Sequence, residues 1–199
     1  MNNGIENFDL LLQTWGGIGY LLAKILLAFA EGAPNGRKLR IIAWSSYLAG
    51  IPAWVILLIS KHNWIIAAID LGSIPSMILG IVIAYHQNKI NKAVDIFVRV
   101  FTYFMIVLGC SYSIYFFHGI TTFSQVLEII ITFGFLLGSY LLAKQNPNGW
   151  PLFGLMSICM ATLMFMQDKI ILFFLQSFSL AVITFGYIRA IRKNKKTPS

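Results

Sequence analysis

The sequence is short of charge. Of its 199 residues, 15 are Lys or Arg and 7 are Asp or Glu, 11% in all, against 58% hydrophobic. A soluble domain needs about a quarter of its residues charged to keep its surface in water. A soluble globular protein is therefore excluded, and lipid is the solvent for most of the chain. Cysteine is nearly absent. Cys110 and Cys159 each stand in an apolar run, which gives no disulfide framework and no metal-ligand spacing, and both read as small core residues. No Gly-x-x-x-x-Gly-Lys-Ser/Thr loop occurs, so the chain does not read as an ATP-driven pump. The histidines His62, His86 and His118 fall in separate loops, without the His-rich or Asp-rich cluster of a membrane-embedded enzyme. The first nine residues hold Glu6 and Asp9 but no Lys or Arg, the wrong charge for a secretory signal, and the N-terminus is expected to be kept.

What is present is a set of long apolar runs. A bilayer core about 30 Å thick takes ~20 apolar residues as a helix. Seven stretches come near that length: residues 10–30, 39–60, 64–85, 94–117, 122–143, 150–166 and 170–189. Polar breaks separate them, among them 31–38, 86–92 and 144–149, marked by turn formers such as Gly32, Pro34, Gly36, Pro147 and Asn148. Arg37, Lys38, Arg40, Lys89, Lys92, Lys144, Arg189, Arg192, Lys193, Lys195 and Lys196 all fall on one side of this arrangement. Only Lys61 and Lys169 fall on the other. Basic residues mark the cytoplasmic side, so the N-terminus is expected outside and the C-terminus inside. The net charge of +8 thus belongs to membrane insertion rather than to nucleic acid. The basic tail is expected against anionic lipid.

The chain also carries the marks of an internal repeat. Trp44-Ser-Ser-Tyr47 opens the second run as Trp150-Pro-Leu-Phe153 opens the sixth. The stretch Ile65 to Lys89 parallels Ile170 to Asn194, and Tyr20-Leu-Leu-Ala-Lys24 reappears as Tyr140-Leu-Leu-Ala-Lys144. Two three-helix units share one orientation only if an odd number of helices separates them, and the fourth run supplies it. The expected fold is an all-α membrane protein of seven transmembrane helices in a 3+1+3 plan, a known transporter arrangement with its site near the midplane. Residues 1–93 form the first repeat, 94–121 a linker helix, and 122–199 the second repeat with the basic tail.

Several intramembrane residues are candidates for function, because polar groups in lipid are costly and turn toward a cavity or a partner. Lys24 and Arg99 lie near the inner helix ends, where long side chains snorkel to the interface. Asp70 and Glu128 lie at similar depth near the outer ends. A carboxyl there serves proton coupling, or it serves an interhelical hydrogen bond or a contact with the outer vestibule. Gln176, Ser179, Ile183 and Tyr187 share one helix face, with Trp150, Phe153 and Ser157 in a similar stripe, and Trp44 with Tyr47 in a third. Such faces suit a planar ring, and a cationic ring gains cation–π attraction. For the tryptophans, Trp64 included, an interfacial belt is the competing reading. Pro52 and Pro75 interrupt the backbone ladder inside two runs, as hinges or as static kinks.

The second half carries, in order, Glu128-Ile-Ile-Ile, Leu136-Leu-Gly-Ser-Tyr-Leu-Leu-Ala-Lys144, Asn148-Gly-Trp-Pro-Leu-Phe-Gly154, Phe165-Met-Gln-Asp168, Leu175-Gln176 and Gly186-Tyr187 before basic residues. This resembles the PnuC family of bacterial nicotinamide riboside transporters, whose fold is like that of the SWEET sugar transporters. The resemblance covers residues 127–193; the first half matches in helix count and spacing alone. It departs at Ile171-Leu-Phe-Phe-Leu175, where the family is polar, and at Gly186-Tyr-Ile-Arg189, where the family is rich in Trp that helps hold the ligand. What the resemblance implies is a bacterial inner-membrane protein that is no enzyme and needs no cofactor. It would take up nicotinamide riboside or a related nucleoside or vitamin by facilitated diffusion, as a homo-oligomer. Gln176, Trp150, Tyr187, Ser179, Trp44, Tyr47, Glu128 and Asp70 are the expected substrate-binding residues. A carrier for another solute such as a sugar is the alternative, and a membrane enzyme or a sensor stands behind it.

Overall fold

The computed structural model describes residues 2–60, 64–86 and 91–196; Lys61, His62, Lys89 and the Trp64 side chain lie outside the described residues. Every described element is a helix: α1 (Asn2–Ala30), α2 (Gly36–Ser60), α3 (Trp64–Gly72), α4 (Ile74–Tyr85), α5 (Lys92–Phe116), α6 (Phe123–Ala143), α7 (Gly149–Met166) and α8 (Ile170–Lys196). They make seven spans long and apolar enough to cross a membrane. A hydrocarbon solvent permits little else, since a helix satisfies its own backbone polar groups.

The third span departs from the single helix expected over 64–85. It is broken at Ser73 into α3 and α4. Pro75, in the first turn of α4, has no N–H to give to the turn before it. Ser73 bridges the break: its hydroxyl donates to the Asp70 carbonyl at 2.6 Å, and its N–H reaches the Ile69 carbonyl at 3.0 Å. Pro52, by contrast, sits inside an unbroken α2.

Six of the spans close a ring. α1 packs on α2, α2 on α3 and α4, α4 on α6, α6 on α7, α7 on α8, and α8 returns to α1. The fourth span, α5, stands outside this ring against α3, α4 and α6. It touches its neighbours through one stripe, Val98, Thr102, Ile106, Gly109 and Ser113, and leaves the rest of its surface exposed. Between apolar helices in lipid, close packing replaces the hydrophobic effect as the main attraction, and glycine permits the closest approach. A Cβ on Gly80 would lie 2.4 Å from the Trp44 ring, and one on Gly186 would lie 2.6 Å from the Trp150 ring. The first of these pairs joins α2 to α4, and the second joins α7 to α8.

Ion pairs tie the helix ends. Arg40 holds Glu31 at 2.8 Å between α1 and α2, and Lys193 of α8 approaches the same carboxylate oxygen at 3.9 Å. At the opposite end Lys169 holds Asp9 at 2.8 Å. Lys144 and Tyr140 both reach Asp95 at the foot of α5, at 2.9 and 3.0 Å.

Candidate functional site

The six ring spans enclose a buried polar centre. Tyr20 (α1), Trp54 (α2), Asp70 with Ile66 and Ile69 (α3), Ile131 and Phe135 (α6), Met156 and Met160 (α7), and Gln176 (α8) line one cavity. Every ring span thus contributes to the wall, and α5 contributes nothing. The cavity is about 10 Å³, room for about one water molecule.

Its polar groups are all withdrawn from lipid. Asp70 and Gln176 are 4% and 5% exposed. Behind Gln176 lies Lys24, which is 1% exposed and donates to the Gln176 Oε1 at 3.0 Å and to the Ser157 hydroxyl at 3.2 Å. This corrects the snorkelling role expected of Lys24. Its ammonium turns inward because α8 and α7 place two acceptors there, and an accepted hydrogen bond outweighs a longer reach to the interface. Arg99 does stand exposed on α5. The Tyr20 hydroxyl and the Asp70 carboxyl approach each other without closing a hydrogen bond of good geometry. The Trp54 Nε1 and the Tyr20 and Tyr47 hydroxyls are buried with no protein partner among the described residues. Buried polar atoms are ordinarily paired; of these three residues Tyr20 and Trp54 line the cavity, and Tyr47 lies in the aromatic layer beside it.

Aromatic rings surround this centre. Tyr20 stacks on Phe135 at 6.2 Å across the ring, meets Tyr47 edge-on at 4.9 Å, and lies 5.5 Å from Trp54. Tyr47 in turn meets Phe153 at 6.2 Å and Trp44 at 5.8 Å. Arg40, Tyr47 and Trp54 are evenly spaced on α2, about 10 Å apart at the helical rise. The aromatic layer at Tyr47 therefore separates the central cavity from a second one near the helix ends. That second cavity, about 240 Å³, is lined by Gly32, Gly36, Arg37, Arg40, Ile83, Gln145 and Lys193 among others.

The expected site residues divide accordingly. Asp70 and Gln176 meet in the cavity wall. Tyr47, Trp44 and Trp150 are 0–1% exposed and lie in the aromatic layer or against glycines, so Trp44 and Trp150 are core residues and not a lipid-facing belt. Ser179 is buried on the same face as Gln176, its hydroxyl turned to the Leu175 carbonyl at 3.0 Å. Tyr187 is half-buried two turns or more beyond, and Glu128 is half-buried on α6; neither lines the cavity. Tyr20, Lys24 and Trp54 were not expected. The signal for two of them was present: Tyr20 and Lys24 stand four apart on one face of α1, a polar pair in the otherwise apolar residues 15–30.

Comparison of the chain with family models, with curated proteins and with solved structures finds no match to any of them.

Proposed function

We propose that this protein is a membrane transporter that moves a small, ring-bearing polar solute through the centre of its helix ring. The single observation that carries this reading is the central cavity. All six ring spans wall it, and it is fitted with buried donors and one carboxyl group on an aromatic frame. Midplane polar sites between helices are how carriers hold their cargo. An enzyme would need reactive groups open to substrate from one face.

The solute class that fits best is nicotinamide riboside or a related nucleoside or vitamin. The frame of Tyr20, Phe135 and Trp54 suits a planar ring, Gln176 suits an amide or a sugar hydroxyl, and Asp70 suits a hydroxyl or a cationic ring. The resemblance to the PnuC family in the second half points the same way. A cavity of about 10 Å³ admits no such molecule. Loading requires its walls to part, as in alternating access by facilitated diffusion. The break at Ser73 and Pro75, one turn from Asp70, is the natural hinge.

The ring is read as two three-helix units joined by α5. Trp44 and Trp150, Tyr47 and Phe153, Asp70 and Gln176, Ser73 and Ser179, and Gly80 and Gly186 are related by one constant offset along the chain. Gly19 lies against the Ser46 carbonyl as Gly134 lies against the Leu152 carbonyl; Ser46 and Leu152 keep that offset, and the two glycines do not. The repeated Tyr-Leu-Leu-Ala-Lys does not follow that scheme: Lys24 is central, whereas Lys144 is exposed at a helix end. The one-sided distribution of basic residues supports an outside N-terminus.

Uptake of labelled nicotinamide riboside into proteoliposomes, with thiamine, nucleosides and sugars as competitors, tests the function. Saturable uptake that Gln176→Ala abolishes in folded protein supports it. Absence of uptake for every solute in the panel refutes it. An imposed pH gradient decides whether Asp70 couples protons. Facilitated diffusion predicts uptake indifferent to that gradient.

A further inference from the structure

Glutamine is ambiguous at a binding site, because its amide offers an acceptor on one arm and a donor on the other. Here the ambiguity is resolved from behind. The Lys24 Nζ lies 3.0 Å from the Gln176 Oε1. Lys24 donates to that oxygen, so the carbonyl arm of Gln176 faces it. The amide Nε2 is left on the cavity side, where Gln176 forms part of the wall. Ser157 holds the same ammonium at 3.2 Å from a separate helix, fixing its direction. With Lys24 and Ser157 both essentially inaccessible, the arrangement is rigid before any solute arrives.

The geometry points to Lys24 as a positioning residue that holds Gln176 as a hydrogen-bond donor toward the cavity, so that this wall selects a neutral carbonyl oxygen of the solute, as in a carboxamide or a ring carbonyl. The claim rests on the transport reading above, and names what that site prefers. Tyr20 lines the same space with its hydroxyl close to Asp70, and Asp70 is the one carboxyl in the lining among the described residues. The recognised solute therefore carries an oxygen acceptor toward α8 and a hydroxyl or cationic edge toward α3. Lys24 does not touch the solute. It acts through Gln176.

Two measurements on the full-length protein test this. The first needs no solute. In detergent-solubilised protein labelled with ¹⁵N-glutamine, the side-chain amide signals of Gln176, assigned by their loss in Gln176→Ala, are expected to form one resolved pair. Lys24→Met, which keeps length and removes the donors, is expected to shift and broaden that pair. An unchanged pair overturns the positioning role, whether or not transport is found. The second reads proteoliposome uptake of nicotinamide riboside against analogues that lack the carbonyl. Lys24→Met is expected to raise KM about tenfold, the worth of one oriented hydrogen bond, and to leave the maximal rate near wild type. Gln176→Glu, of the same shape and still held by Lys24, keeps the fold but presents an acceptor, and is expected to abolish the preference for the carbonyl compound. Wild-type uptake with that preference intact in both variants overturns the selectivity. No uptake by wild type refutes the transport reading itself, and the amide signals still decide the role of Lys24.

Discussion

Replacing Glu31 with Gln removes the carboxylate that holds Arg40. The two side chains are 7% and 6% exposed and 2.8 Å apart, so the pair counts as buried. Removing one partner of a buried pair leaves an uncompensated charge and destabilises by about 3–5 kcal/mol. The cavity beside Arg40, about 240 Å³, lets water reach the guanidinium, which places the loss near the low end, about 3 kcal/mol. Lys193, 3.9 Å from the same oxygen and 41% exposed, adds less than about 1 kcal/mol. Equilibrium unfolding in mixed micelles compares Glu31→Gln, Arg40→Met, the double variant and Lys144→Met. Each single change at the buried pair is expected to cost about 3 kcal/mol, and the double variant less than the sum, because no charge is left stranded. Lys144→Met breaks a pair 38% and 24% exposed and is expected to cost under about 1 kcal/mol. If Glu31→Gln costs no more than Lys144→Met, the pair is solvated and the reasoning fails.

Three further outcomes are expected. Gly80→Ala and Gly186→Ala push a methyl group into the buried rings of Trp44 and Trp150 and should each lower stability by about 1–3 kcal/mol. Gly154→Ala, whose nearest neighbour is 3.7 Å away, should be close to neutral in the same assay. The Lys144 ammonium keeps its proton above the ordinary lysine value of 10.5 because it hydrogen-bonds Asp95. A raised value in the folded state means that its contribution is complete below the unfolded value and is lost as pH rises through the folded one. The difference between wild type and Lys144→Met should therefore stay flat across the neutral range and shrink only in alkali. A difference that falls through neutral pH would refute the assignment.

Much of the fold was legible because lipid imposes a simple rule on composition. Seven apolar runs of spanning length, with polar breaks, left the chain little freedom, and seven spans are what it forms. The stripe of Gln176, Ser179 and Ile183 was legible for the same reason, since a period of 3.6 residues fixes which side chains share a face, and all three are buried. The break at Ser73 was half legible: Pro75 announced a disturbance, but whether it kinks or splits the helix depended on the Ser73 hydroxyl finding the Asp70 carbonyl.

Lys24 marks the limit of that reading. From the sequence it stands where a lysine can snorkel, and the one hint in its own helix, Tyr20 four residues before it, names no partner. Its partners Ser157 and Gln176 lie on α7 and α8, far along the chain, and local periodicity does not reveal which face of one helix meets which face of another. The five residues shared with Tyr140–Lys144 pointed the wrong way, because identity in sequence does not place two lysines at the same depth. The sequence by itself determined the solvent, the number of spans and, for α8, the face turned inward. The closing of six spans into a ring decided which inward residues meet: Tyr20, Trp54, Asp70 and Gln176 at one cavity, with Lys24 behind it. That meeting is a property of packing between distant segments, and packing is settled by shape complementarity such as Gly80 on Trp44 and Gly186 on Trp150, which no single helix contains.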